Sequence, residues 1–192
     1  MTTLRELIKR GLDTPVDFSF IKRCAGTGVS IRMVDHETSL SNKPSLKDVF
    51  KGHQVAAILL HVKQGKTRIG HWILAINKRG QNKISLFDSL GLGLKGLYRV
   101  THESPKLLYA FEGHKWEDST VQLQRFGSHY RECGSFCGVR AVFFKLTNRE
   151  FVKLIKSWDS QHPDKTAVML VLLHFIEDKA IDIQSKKFKR LK

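Results

Sequence analysis

The apolar run from Gln54 to Lys63 restricts the fold more than any other stretch. Val55, Ala56, Ala57, Ile58, Leu59, Leu60 and Val62 leave it no polar side to turn to solvent. A run of this length reads as a central strand buried on both faces, and such a strand needs a packed layer above and below it. Through a turn at Gln64-Gly65-Lys66 it leads into a second mostly apolar run, Ile69 to Ile76, with His71 near its start. A turn rich in Lys, Gly and Asn, from Asn77 to Asn82, comes next. Ile84 to Leu90 then alternates as a half-buried strand and delivers Asp88 near its end. These strands make an antiparallel meander, and a fourth, Thr120 to Phe126, carries Gln122 and Gln124.

Helical patterns surround the strands. Thr3-Leu4-Arg5-Glu6 is a capping box opening a helix to about Gly11, and Ser45-Leu46-Lys47-Asp48 caps a short helix ending at Gly52. Ser104 to Phe111 is weakly helical, with Pro105 suited to the first helical position. Asn148 caps a helix from Arg149 to about Trp158, and Pro163-Asp164 opens a last one whose apolar residues run from Ala167 to Ile176. Asp13 to Met33 is irregular, and Asp35 to Pro44 is a polar loop. The fold class is therefore α+β, a central mixed or antiparallel sheet flanked by helices. At 192 residues and 41% apolar, the chain is long enough for one well-buried core, so residues 1–192 are expected to form one domain with a basic tail at about 185–192.

The segment Arg131 to Leu146 carries the chemistry. After Cys133 and Gly134, the apolar residues Phe136, Cys137, Val139, Ala141, Val142, Phe143 and Leu146 cover most of a helical wheel, as in a helix buried on several sides. Cys133 falls in its first turn, where unpaired backbone N–H groups and the positive end of the helix dipole favour a thiolate. Gly134 would leave room for a substrate backbone. Cys137, one turn further in, is expected to be buried and inert, and Cys24 to be structural unless it pairs between chains. Adjacent antiparallel strands would place His71 and Asp88 at the same edge of the sheet, as a base and its orienting carboxylate require.

The pattern Gly-His-Trp before an apolar strand, Phe-Asp-Ser-Leu at a strand end, a Gln, and Glu-Cys-Gly-Ser-Phe-Cys resembles the cysteine proteases typified by the adenovirus maturation protease and the SUMO-deconjugating proteases. The resemblance covers roughly Leu59 to Leu146. It implies a papain-like protease fold with Cys133 as nucleophile, His71 as base and Asp88 as third member. It also implies an oxyanion hole made by the Cys133 N–H and the Gln124 side chain. Gln124 lies further from Cys133 than the family spacing, so Gln122 is an alternative donor. The family implies small residues, Gly or Ala, at the scissile bond, threading beside the indole of a Trp such as Trp72.

Charge narrows the branch. Thirty-three Lys and Arg against eighteen Asp and Glu give a net charge of +15, with a dense cluster from Lys186 to Lys192, and such an excess points to a polyanionic partner. The adenovirus-like branch works in DNA-packed virions with DNA as cofactor. The expected partners are thus viral capsid or core precursors and DNA, in the virion and virus factory of a virophage or related DNA virus, with the protein a monomer. Whether a peptide activator is needed stays open. Two readings compete: a protease removing ubiquitin-like modifiers, and a non-enzymatic DNA-binding virion protein.

No stretch of about eighteen apolar residues suggests a membrane span, and the N-terminus lacks a secretory signal. Three cysteines without framework spacing fit a reducing compartment. Gly91-Leu92-Gly93-Leu94-Lys95-Gly96 matches a dinucleotide-binding pattern but lacks its βαβ setting and acidic partner, and reads as a flexible loop. His129, Cys133 and Cys137 lack a fourth ligand at zinc spacing. No metal or cofactor is expected in the chemistry itself.

Overall fold

A computed structural model describes residue 6 and residues 16–64, 67–78, 83–125 and 132–171. Several expectations lie outside the described residues: the Thr3 capping box and its helix apart from Glu6, the turns at Gly65-Lys66 and 79–82, the loop 126–131, and everything after Val171, including the basic cluster.

Five strands form a mixed sheet in the order β1 (Ile31–Asp35), β2 (Val55–Gln64), β3 (Thr67–Asn77), β4 (Lys83–Phe87) and β5 (Lys115–Asp118). The β2–β3 and β3–β4 pairs are antiparallel, as the meander pattern predicts, and both outer pairs are parallel. Helices cover both faces: α1 (Phe18–Ala25), α2 (Leu46–Phe50), α3 (Gly93–Thr101), α4 (Lys106–Ala110), α5 (Cys133–Val142) and α6 (Asn148–Trp158), with residues 163–171 also helical. The chain is an α+β protein.

Side-chain alternation divides the β2 and β3 residues between two cores. Val55, Ala57, Trp72, Leu74 and Ile76 join Ile21, Cys24, Phe136, Cys137, Phe151 and Ile155 beneath α1, α5 and α6. Ala56, Ile58, Leu60, Ile73 and Ala75 join Val49, Phe50, Leu94, Leu97, Leu107 and Phe111 beneath α2, α3 and α4. This double burial is what the run from Val55 demands.

Several local expectations are corrected. The predicted strand Thr120 to Phe126 is irregular over its described residues, because Leu123 and Gln124 both donate to one carbonyl, that of Ser89, and not along a ladder. The sheet takes the polar segment Lys115–Asp118 in its place. Within the span read as irregular, Asp17 caps α1 by accepting from the Phe20 N–H at 2.9 Å, and β1 pairs with β2. Thr147, not Asn148, caps α6, in a capping box with Glu150. Asn148 is buried and donates to the Leu86 carbonyl at 2.9 Å. The glycine-rich segment after Asp88 is a tight turn and then helix α3, not a flexible loop.

Helix α5 is buried from Cys133 through Ala141. It stops at Val142, short of the expected Leu146, because the fully buried guanidinium of Arg140 donates to the Phe143 carbonyl at 2.7 Å and the Leu146 carbonyl at 2.9 Å. At Gly138 the helix meets α1 so closely that a Cβ there would stand 2.9 Å from the Cys24 sulfur.

Candidate active site

Strand β3 runs past the end of β4. Their pairing finishes at Leu74 and Phe87, which leaves His71 on β3 beyond the last pair and Asp88 at the first position after β4. The two meet there: His71 Nε2 and Asp88 Oδ1 are 2.9 Å apart. Cys133, at the first position of α5, hydrogen-bonds the same imidazole. Residues from three distant segments are thus brought together as the sequence predicts.

All three side chains are withdrawn from solvent, with Cys133 and His71 each 6% exposed and Asp88 0%. Burial alone would lower the His71 pKa, since a low-polarity setting disfavours the imidazolium. Hydrogen bonds to Asp88 and Cys133, and the electrostatic attraction of the two groups for the imidazolium, outweigh it and raise His71 to about 10. The imidazole is therefore held as a cation beside the sulfur across the neutral range. Burial pushes the Cys137 thiol well up, so it stays protonated and inert as expected. Cys24 is buried too, and none of the three cysteines forms a disulfide.

Asp88 is fixed by more than the histidine. Its Oδ1 also accepts the Leu90 N–H at 3.0 Å and its Oδ2 the Leu92 N–H at 2.9 Å. The Ser119 hydroxyl accepts from the Asp88 N–H and donates to the Asp88 carbonyl, tying the backbone to the segment after β5. These contacts also dispose of the dinucleotide pattern. The N–H groups of Leu92 and Leu94, which a phosphate would need, are taken by the carboxylates of Asp88 and Asp118.

Gln124 is buried, and its Oε1 accepts from the Ser89 hydroxyl at 2.7 Å. Gln122 is exposed, and its side chain donates to the Gln124 carbonyl at 3.0 Å. The two glutamines thus hold different posts, one inside the turn after β4 and one bracing it from outside. Neither Ser89 nor Ser119 has a role assigned from the sequence: Ser89 belongs to the Phe-Asp-Ser-Leu pattern, and nothing in the sequence marks Ser119.

Gly134 has a role other than the one expected. The space a Cβ would occupy is filled by Val16, whose own Cβ would lie 2.3 Å away. The Trp72 indole N–H donates to the Val16 carbonyl at 2.8 Å, so Val16 closes both the glycine side and the Trp72 N–H edge. Any substrate passage beside Trp72 is bounded by Val16. No cluster of His, Cys, Asp and Glu suited to a metal occurs among the described residues, and His129 lies outside them.

No family model matches the sequence, and no curated protein matches it. Among solved structures, the chain is similar to the SUMO protease Ulp1 with its catalytic cysteine oxidized to a sulfinic acid. The likeness has 14% sequence identity and a TM-score of 0.39, and covers 90% of this chain and 84% of that one.

Proposed function

We propose that the protein is a cysteine endopeptidase with Cys133 as nucleophile. The observation that carries this reading is the buried His71, bonded to Asp88 on one side and to Cys133 on the other, with the sulfur at the start of a buried helix. A cationic imidazole and the helix N-terminus both favour thiolate. The sulfur attacks a peptide carbonyl, the Cys133 N–H and Gln124 Nε2 receive the oxyanion, and His71 protonates the departing amine to leave a thioester. Water, deprotonated by His71, then releases the acid. Asp88 holds the ring and balances its charge throughout.

The substrates we propose are viral capsid or core precursors, cut at Gly or Ala sites during virion maturation and with stimulation by DNA. The sequence resemblance and the net charge of +15 support this choice. So does the placement of Lys22, Arg23, Lys47, Lys78 and His114 along open grooves that share His53, at the Val55–Ile76 end of the β2–β3 pair and away from His71. The test is to incubate wild type and Cys133→Ala with viral structural precursors, with and without DNA, and in parallel with ubiquitin-like fusions. Cleavage of the precursors by wild type alone, faster with DNA, is expected. Cleavage only of the fusions would replace the substrate reading, and activity surviving in Cys133→Ala would remove the nucleophile.

A further inference from the structure

The two halves of the candidate machinery are joined at one dipeptide. Asp88 holds the imidazole, and the next residue, Ser89, grips Gln124 at both ends. The Ser89 carbonyl accepts the N–H groups of Leu123 at 2.9 Å and Gln124 at 2.8 Å, while its hydroxyl donates to Gln124 Oε1 at 2.7 Å. Ser89 is 0% exposed, so bulk solvent does not reach these bonds. From this geometry we infer that Ser89 is a positioning residue that sets Gln124 as the oxyanion donor.

The inference rests on the protease reading and deepens it. A primary amide has an acceptor on one side and a donor on the other. With the oxygen held by Ser89, the group the amide has to offer as a donor is Nε2. An oxyanion donor must stand ready before the negative charge develops, because its benefit comes from needing no reorientation at that moment. A glutamine side chain with several free rotors would not meet that demand, and a hydroxyl anchoring its oxygen does. The backbone around it is locked as well. At Gly91, in the left-handed region at φ +67°, the turn comes so near the crossing segment that a Cβ would lie 2.5 Å from the Gln122 nitrogen. Gln122 in turn braces the Gln124 carbonyl. The same contacts separate the glutamines: Gln122 supports and Gln124 donates.

Two probes of Cys133 distinguish a positioning role from a general structural one. A peptide aldehyde ending in glycinal adds the sulfur to its carbonyl carbon, and the former carbonyl oxygen, as oxyanion or with the thiol's proton, occupies the oxyanion site. Iodoacetamide is displaced at an sp³ carbon with loss of iodide, and creates no oxyanion. For Ser89→Ala we expect aldehyde affinity and the acylation rate on a Gly-Gly reporter peptide to fall about tenfold, as for one buried hydrogen bond. KM and the rate of Cys133 alkylation should stay within about twofold, and in a Gln124→Ala background the substitution should cost nothing further. Equal aldehyde affinity in wild type and Ser89→Ala would overturn the inference and leave the protease reading standing. Parallel loss of alkylation, or full additivity with Gln124→Ala, would likewise overturn it. If wild type takes neither aldehyde nor peptide, the protease reading falls and the inference with it. Should Ser89→Ala fail to fold, Ser89→Cys keeps a weak donor in similar volume. It is expected to weaken the aldehyde about threefold, with alkylation followed at Cys133 by peptide mapping; no weakening, or slowed Cys133 alkylation, counts against Ser89.

Discussion

Asp88→Asn removes a charge while keeping the shape, and its cost should depend on pH. The buried carboxylate accepts from His71, Leu90 and Leu92. An amide that keeps its oxygen toward His71 and Leu90 turns its NH2 on the Leu92 N–H and orphans that donor, a loss of about 1–3 kcal/mol at any pH. The histidine adds a second cost. His71 stands at about 10 against an ordinary 6.5, and Asp88 and Cys133 share the raising while burial opposes it. Taking the Asp88 share as about half of the difference gives roughly 2 kcal/mol at about 1.36 kcal/mol per pH unit.

A histidine whose folded pKa is raised binds its proton more tightly in the native state. Its contribution is complete below the unfolded value and is lost as pH climbs through about 10. Asp88→Asn should thus cost about 3–5 kcal/mol near pH 6 but only about 1–3 near pH 11. Urea denaturation of both proteins at the two pH values measures this, and imidazole NMR titration should show His71 moving down from about 10. Equal costs at both pH values, or a His71 titration unchanged by the substitution, would refute the account of the pair.

Gly134→Ala places a methyl 2.3 Å from Val16 Cβ, about 1.1 Å short of ordinary contact at 3.4 Å, beside a backbone pinned to Trp72. Overpacking of about 1–3 kcal/mol is expected in a denaturation curve, together with altered reactivity of Cys133. Iodoacetamide followed by peptide mapping should modify Cys133 at least tenfold faster than buried, protonated Cys137; comparable rates would contradict the site. Lys106→Met orphans the carbonyls of His36, Glu37 and Leu40, which Nζ reaches at 3.1, 2.9 and 2.8 Å, and should lower stability by about 3 kcal/mol while leaving Cys133 alkylation unchanged.

Much of the site was legible because its residues sit at the ends of strongly patterned elements. His71 opens an apolar strand, Asp88 ends an alternating one, and Cys133 begins a helix apolar on all sides, so pairing rules alone bring the first two together. What escaped was structure held by backbone contacts that leave no periodicity. β5 is a four-residue polar strand, Lys115–Asp118, and 120–125 follows the Ser89 carbonyl where a ladder was expected. Asp17 marked α1, but Pro15 and Gly26 on either side hid an eight-residue helix. The glycines from Gly91 to Gly96 suggested freedom, whereas Gly91 and Gly93 serve close contacts with the 121–122 backbone and Asp118. Gly134 misled in the same way, since the gap it leaves is already occupied.

Arg140 decides where the rod bearing Cys133 stops. The exit is imposed from within, by a guanidinium that burial lowers only to about 10 and which therefore keeps its proton in neutral solution. No proline or glycine follows directly to break the chain there, and Val142 and Phe143 face outward. Drift at those outward positions is consequently free to alter the surface without lengthening the rod or shifting its sulfur-bearing tip.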